Sequence, residues 1–302
     1  MDSFLGYLAI SLIRLLGKAS LSVAQSVGAL VGKWLLLRRT REREVARVNF
    51  DLVYPDLSPA ERQQLLTDTL IETGKVLGET GPMWGYAPEK AAALIRRVHH
   101  KERYDELMAH DGGKLLLAPH LGNWELVNTY VASLGDEMTA MYKPTGNQRF
   151  NDWMISRREA GGSRLVPTDT SGVKALLVAL KRKRLVGVLP DQEPKRIGGV
   201  FADFMGQTAL TPKMPLDLIK RTGAKALFAF AKRLEHGEGF EIYFIEPDEE
   251  IYSADLEQAA AAMNRSIARC IEHCPAQYQW TYKRFKRQPE GQPNPYKVAK
   301  VP

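Results

Sequence analysis

Two apolar runs constrain this chain more than any other feature: Leu115–Ala118 in KLLLAPHLGNWE and Leu185–Leu189 in RLVGVLPDQ. Each is too short for a helix, and each stops at a proline followed by a side chain with acid–base chemistry, His120 in one case and Asp191 in the other. Short apolar runs bounded by breakers read as buried strands. In an open α/β sheet, ligands gather just past the carboxyl ends of such strands. The spacing therefore predicts a sheet whose strand ends carry a site.

The surrounding pattern agrees. Ser58-Pro59-Ala60-Glu61 is a capping box with proline at the first helical position, so a helix should run from there to about residue 80. An Ala-rich helix is expected over about 87–97, a strand over Glu137–Lys143 and a helix over Ser171–Arg182. Strands are expected at Lys225–Lys232 and Glu241–Ile245, separated by the turn-like HGEG at 236–239, and a long helix at Asp255–His273. Strands alternating with helices argue an α/β fold, a central mixed sheet flanked by helices. The Pro- and Gln-rich stretch after Lys286 reads as a loose tail. The expected organisation is a segment 1–40, a main domain 41–288 and a tail 289–302.

Residues 4–37 contain no proline and are mostly apolar, but Arg14, Lys18 and Lys33 interrupt them, so no clean run of about 20 apolar residues exists to span a bilayer. On a helical wheel Ser11, Arg14, Lys18, Ser22, Gln25 and Lys33 fall within roughly 100° of one another. That predicts an N-terminal amphipathic helix lying in a membrane interface, with the basic cluster Arg38, Arg39, Arg41 and Arg43 against anionic lipid. A buried amphipathic helix of a soluble domain and a tilted single span share the same periodicity. Met1-Asp2 supplies no basic start for a signal peptide.

The formal net charge of +7 favours anionic partners: nucleic acid, an acidic protein or an anionic membrane. Cys270 and Cys274 stand four residues apart, the spacing of one helix face, and read as reduced thiols. His99, His100, His110, His236 and His273 show no HExxH or paired-ligand spacing, which leaves no metal site to expect.

His120 and Glu125 form H-x4-E. Five residues apart they would not stack on a straight helix, but a turn at Leu121-Gly122 could return the carboxylate to the imidazole. A histidine held by a carboxylate is suited to take a proton from an alcohol. No GxSxG nucleophile context is present, so direct attack by a substrate hydroxyl fits better than a covalent intermediate. A structural histidine at a strand end is the plain alternative.

PHLGNWE strongly resembles the H-x4-D/E motif of bacterial glycerolipid-type acyltransferases, and its GNWE form resembles the late lipid A acyltransferases that add lauroyl or myristoyl chains. Asn49-Phe50 and Tyr54-Pro55-Asp56, Arg158 in REAGGSRLVP (with Arg157 adjacent), Leu189-Pro190-Asp191-Gln192, FADFMGQTALTP at 201–212 and QYQWTYKRFK at 277–286 are similar to that family's remaining motifs, in order. Met205 stands where the family usually has a second aromatic, and the EGTR motif of the phospholipid-making branch is absent.

The resemblance implies transfer of a fatty acyl chain from acyl carrier protein to the hydroxyl of a 3-hydroxyacyl chain on a lipid A precursor, at the cytoplasmic face of the inner membrane. It assigns His120 as general base and Glu125 as its orienting partner. Asn123, Arg157 or Arg158, Asp191, Gln192 and Phe204 become substrate-binding positions, with an acyl-length groove near Phe201–Met205. Arg158 or Arg157 would serve the developing oxyanion or a lipid phosphate, and Asp191 would position arginine or substrate. No metal or bound cofactor is implied. The partners are an acidic carrier protein, docked on Lys283, Arg284, Lys286 and Arg287, and a membrane, with no nucleic acid. An acyltransferase for another polar lipid, such as a mannoside or ornithine lipid, would carry the same motif. A non-enzymatic basic membrane protein would explain the charge and the first segment but not the strand-end residues.

Overall fold

The computed structural model describes residues 2–160 and 162–301, with side chains in the first helix from residue 6 onward. The strands are β1 (Ile95–His99), β2 (Lys114–Leu117), β3 (Met138–Tyr142), β4 (Ser163–Pro167), β5 (Leu185–Val188), β6 (Gly199–Phe204), β7 (Gln207–Pro212), β8 (Lys225–Arg233) and β9 (Phe240–Ile245). The first helices are α1 (Asp2–Leu16), α2 (Leu21–Leu37), α3 (Arg41–Val53), α4 (Pro59–Gly85), α5 (Pro88–Ala92) and α6 (Lys101–Ala109). They are followed by α7 (Glu125–Ser133), α8 (Gln148–Glu159), α9 (Thr170–Lys181), α10 (Met214–Thr222), α11 (Leu256–Glu272) and α12 (Pro295–Val298).

Seven strands form one mixed sheet in the order β1-β9-β8-β2-β5-β3-β4, and β6–β7 is a separate antiparallel hairpin. Every neighbour in the sheet is parallel except β8 with β9. The two apolar runs are β2 and β5, buried along their whole length at the centre. They pair directly, Leu117 opposite Val188. Strands buried on both faces by helices read as continuous apolar runs, which is why these two were legible. Two hydrophobic clusters cover the faces. One gathers Phe50, Phe228, Phe230, Trp280 and Phe285. The other gathers Tyr104, Leu126, Val131, Phe240 and Phe244.

The capping box holds as expected: the Glu61 N–H donates to Ser58 Oγ at 3.3 Å and the Ser58 N–H to the Glu61 carboxylate at 2.9 Å. The Ala-rich helix expected over 87–97 stops at Ala92, and Ile95–His99 instead adds an edge strand beside Phe240–Tyr243. Helix propensity loses there to β-branched Ile95 and Val98 finding a partner strand. The tail is tied down rather than loose. Tyr296 is buried, accepts from the Phe285 N–H at 3.1 Å and donates to Asn49 Oδ1 at 2.5 Å.

The N-terminal segment is two helices, not one. Gly17–Ser20 breaks it, and Ser20 caps α2 through the Val23 N–H at 3.3 Å. The single wheel therefore does not continue through the break. Gln25 leaves the expected polar stripe and is buried, donating to Glu79 at 2.7 Å. α2 and α4 cross through glycines at backbone contact. A Cβ on Gly28 would lie 2.3 Å from the Gly74 carbonyl oxygen, and one on Gly74 would lie 2.1 Å from that of Gly28. No helix among the described residues is long and apolar enough to cross a membrane.

Candidate active site

The site follows from sheet register. Because Leu117 and Val188 are partners on adjacent parallel strands, His120 and Asp191, each three residues further on, leave the sheet side by side. His120 Nδ1 lies 2.7 Å from Asp191 Oδ1, and the His120 backbone N–H donates to Oδ2 at 2.8 Å. The buried Tyr278 hydroxyl lies near the same carboxylate, and burial pushes it well above the ordinary tyrosine value. Burial pushes the Asp191 carboxyl up, but the charge and hydrogen bonds of His120 more than offset this and hold it below the ordinary carboxylate value. In the neutral form of the ring, a carboxylate against Nδ1 selects the tautomer with the proton there, which leaves Nε2 its lone pair. That nitrogen faces the Gln192 side-chain amide at 3.2 Å, and the same amide donates to Gln279 Oε1 at 2.9 Å.

The loop that presents His120 is held from both sides. The Asn123 N–H donates to the Ala231 carbonyl at 2.9 Å, the Gly122 N–H to that of Gln277 at 3.1 Å, and the Gln279 N–H to that of His120 at 3.0 Å. Gly122 has φ 61°, and a Cβ there would meet the Ala231 oxygen at 2.0 Å. Only glycine combines that backbone conformation with so close an approach.

Glu125 begins α7 and turns away from the imidazole, so the expected His120–Glu125 pair does not form. Its partner is Arg158, which grips both carboxylate oxygens, Nε to Oε2 at 2.9 Å and Nη2 to Oε1. The reason is local geometry: a helix starting at Glu125 points its side chain across the cleft toward α8. The structure also separates the two arginines. Arg158 faces the cleft, 5.2 Å from the Trp84 ring. Arg157 donates from Nε to the Trp84 carbonyl and reaches the Tyr86 carbonyl at 3.5 Å, so it caps the end of α4.

Asn123 is buried and donates to Glu79 at 2.9 Å, which makes it a support for the loop. Phe204 is fully buried against Tyr278 and Phe285 and lines neither of the two cavities at His120. Met205 sits at the hairpin tip with φ 54°. In the basic block, Arg284 is buried and donates to the Leu210 carbonyl at 2.9 Å. Arg287 pairs with Glu193 at 2.5 Å. The four cations therefore do not form one exposed docking surface.

Two cavities meet at His120, Trp124, Glu125 and Arg158. One, of about 310 Å³, is walled by Val76, Leu77, Met83 and Trp84 of α4 and by Tyr278. The other, of about 450 Å³, runs under the sheet ends between Leu116, Val127, Met138, Met141, Leu165 and Met214. Both are mainly apolar with polar groups gathered at the junction, the usual composition of a site for a largely apolar ligand. Glu79, Trp84, Tyr278 and Gln279 were not singled out from sequence. Tyr278 and Gln279 lie in the QYQWTYKRFK stretch, the one signal that could have found them. Cys270 and Cys274 are buried, and burial pushes both thiols up, Cys274 to about 12. Among the described residues no group of three or more His, Cys, Asp or Glu is placed to hold a metal ion.

A family model described as bacterial lipid A biosynthesis acyltransferase matches residues 1–287. The lipid A biosynthesis lauroyltransferase of Escherichia coli (strain K12) is 27% identical over 296 residues, covering 97% of this chain and 95% of the relative. The palmitoleoyltransferase of the same organism is 29% identical over 260 residues, 85% of this chain and 82% of the relative. The myristoyltransferase is 25% identical over 258 residues, 84% and 78% of the two chains. A strand-end histidine held by a buried carboxylate thus stands at the junction of two apolar cavities, and the chain belongs to the bacterial lipid A biosynthesis acyltransferase family.

Proposed function

We propose that this enzyme moves a fatty acyl chain from the thioester of acyl carrier protein to the hydroxyl of a 3-hydroxyacyl chain on a lipid A precursor. The observation that carries the reading is the His120–Asp191 pair opening, through Nε2, on the meeting point of two apolar cavities. One cavity suits the donor chain and the other the acceptor's acyl chain. The acceptor hydroxyl attacks the thioester carbonyl as His120 Nε2 takes its proton. Asp191 holds the ring and stabilises the imidazolium. Negative charge develops on the carbonyl oxygen, and Arg158, fixed by Glu125, faces it. A donor aimed at such an oxyanion contributes about 3–4 kcal/mol where it has been measured in other enzymes. Collapse then breaks the C–S bond, and the departing thiolate recovers the proton from His120. No bound cofactor enters the scheme, because the thioester supplies the activated acyl group.

The larger cavity takes over the measuring role expected of Phe201–Met205. Met138 and Met214 line it, and each buried methylene contributes about 0.8 kcal/mol, so its depth discriminates between chain lengths. The test is incubation of the purified protein with acyl-acyl carrier protein and a lipid A precursor, followed by mass spectrometry of the lipid. A new secondary acyl chain is expected. Acylation of an ornithine lipid or mannoside instead would overturn the acceptor, and acylation of nothing would overturn the reading.

The enzyme works from the cytoplasmic face of the inner membrane, docked rather than spanning. α1 and α2 expose Tyr7, Leu8, Leu12, Leu15, Val27, Leu30, Trp34 and Leu37. Large apolar side chains exposed along one side of each helix mark a membrane or protein contact. Leu77 of α4, the helix against which α1 and α2 pack, is both exposed and part of the smaller cavity wall, so that cavity reaches the surface there. A lipid acceptor then reaches His120 without leaving the bilayer surface entirely. Replacing Leu30, Trp34 and Leu37 together by Asp is expected to release most of the protein from anionic vesicles in a sedimentation assay. Undiminished sedimentation would place the contact elsewhere.

A further inference from the structure

Gln192 occupies the one position of His120 that the reaction needs. Its amide N–H points at Nε2 from 3.2 Å, and the orientation is fixed because the same nitrogen donates to Gln279 Oε1 at 2.9 Å. Gln279 is held in turn, its backbone N–H donating to the His120 carbonyl at 3.0 Å. Gln192 lines the larger cavity and Gln279 the smaller, so the amide-to-amide bridge crosses the seam where the two meet.

We propose that Gln192 guards the base, making the enzyme select a lipid hydroxyl over water. The inference rests on the acyl-transfer reading above. A thioester held beside an unoccupied Nε2 would hydrolyse: water would give its proton to His120 and add to the carbonyl. The C–S bond would break, and the thiolate would take the proton back, leaving a fatty acid and a free thiol. With the Gln192 N–H on Nε2, the lone pair is engaged and a water molecule must displace it with no compensating contact. An acceptor lipid brings binding energy from its chains in the smaller cavity, and such remote binding energy is what an enzyme spends to assemble its reactive arrangement. Displacement is inexpensive for the protein, because the Gln192 amide keeps its bond to Gln279 when it leaves His120. Gln192 is thus a specificity residue, and Gln279 positions it.

The test measures thiol release from lauroyl-acyl carrier protein without any acceptor. Gln192→Ala is expected to raise this hydrolysis about fivefold over the unsubstituted enzyme, the factor that one hydrogen bond of ordinary net strength supplies. With saturating lipid A precursor the ratio of transfer to hydrolysis should fall by a similar factor. Gln279→Leu, which frees the Gln192 amide without touching the imidazole, should raise hydrolysis by a smaller factor and covers the case in which Gln192→Ala does not fold. Hydrolysis that is unchanged or lower in the folded variants overturns the guard while leaving acyl transfer by His120 standing. In a His120→Ala background the extra hydrolysis should vanish. Its persistence there would overturn both the guard and the base through which it acts.

Discussion

His120→Ala is expected to abolish measurable acyl transfer while the protein stays folded. The imidazole is partly exposed at the end of β2, in a cavity wall rather than in either hydrophobic cluster, so truncation removes little packing. Loss of a positioned general base lowers rates by about 10²–10⁴-fold. Asp191→Asn should approach the same loss, because a neutral amide neither fixes the Nδ1–H tautomer nor stabilises the imidazolium. Glu125→Gln should behave differently. It loosens Arg158 and leaves the base intact, so it should lower the rate without moving the pH at which activity appears. If Glu125→Gln shifts that pH and Asp191→Asn does not, the orienting carboxylate is Glu125 after all. Acid supplies a second readout. The folded Asp191 carboxyl sits below its unfolded value, so its stabilisation is fully present at neutral pH. It is lost as the pH falls through the folded value, and Asp191→Asn should flatten this part of the acid-unfolding curve.

The contrast between Asp191 and Glu125 shows where sequence reading succeeds and fails. His120 and Asp191 were both legible as strand-end residues, because β2 and β5 are buried on both faces and must be continuous apolar runs. Their pairing was not, since it depends on β5 lying next to β2 in the sheet although β3 and β4 intervene in the chain. Local spacing offered the nearer carboxylate, Glu125, and α7 turns it away. The same limit explains the break at Gly17–Ser20. A wheel assumes one axis, while the glycines of α2 answer to α4, some forty residues downstream. Arg284 looked like surface charge because its neighbours are cations. In the fold it satisfies the carbonyl of Leu210 and the hydroxyl of Thr211 from inside the core.

Glu79 was the least legible residue of all, one of four acids along α4, and its replacement is expected to have the largest effect on stability. It is fully buried and meets three partners. Arg233 donates to both of its oxygens, the Gln25 amide to Oε1 at 2.7 Å and the Asn123 amide to Oε2 at 2.9 Å. Burial alone would lower the Arg233 pKa, but Glu79 and Glu72 more than offset that and leave the guanidinium firmly charged. Removing Glu79 leaves the buried guanidinium with Glu72 as its remaining carboxylate, and breaking a buried pair of this kind costs about 3–5 kcal/mol. Glu79→Ala should therefore unfold at markedly lower denaturant concentration. The double variant Glu79→Leu with Arg233→Met should recover much of the loss, because an apolar pair of similar volume replaces the buried charges and Glu72 keeps Lys75 at 2.5 Å. A double variant no more stable than Glu79→Ala would mean that the network's other hydrogen bonds, not the charge pair, dominate. Activity should follow a different rule. The network ties α2, whose other side exposes apolar side chains, to Asn123 in the loop that carries His120. Hence the double variant should regain its fold yet remain slow, since Asn123 has lost the acceptor that holds the loop. Full recovery of both stability and rate would show that the backbone bonds to Ala231 and Gln277 position His120 without help from Glu79.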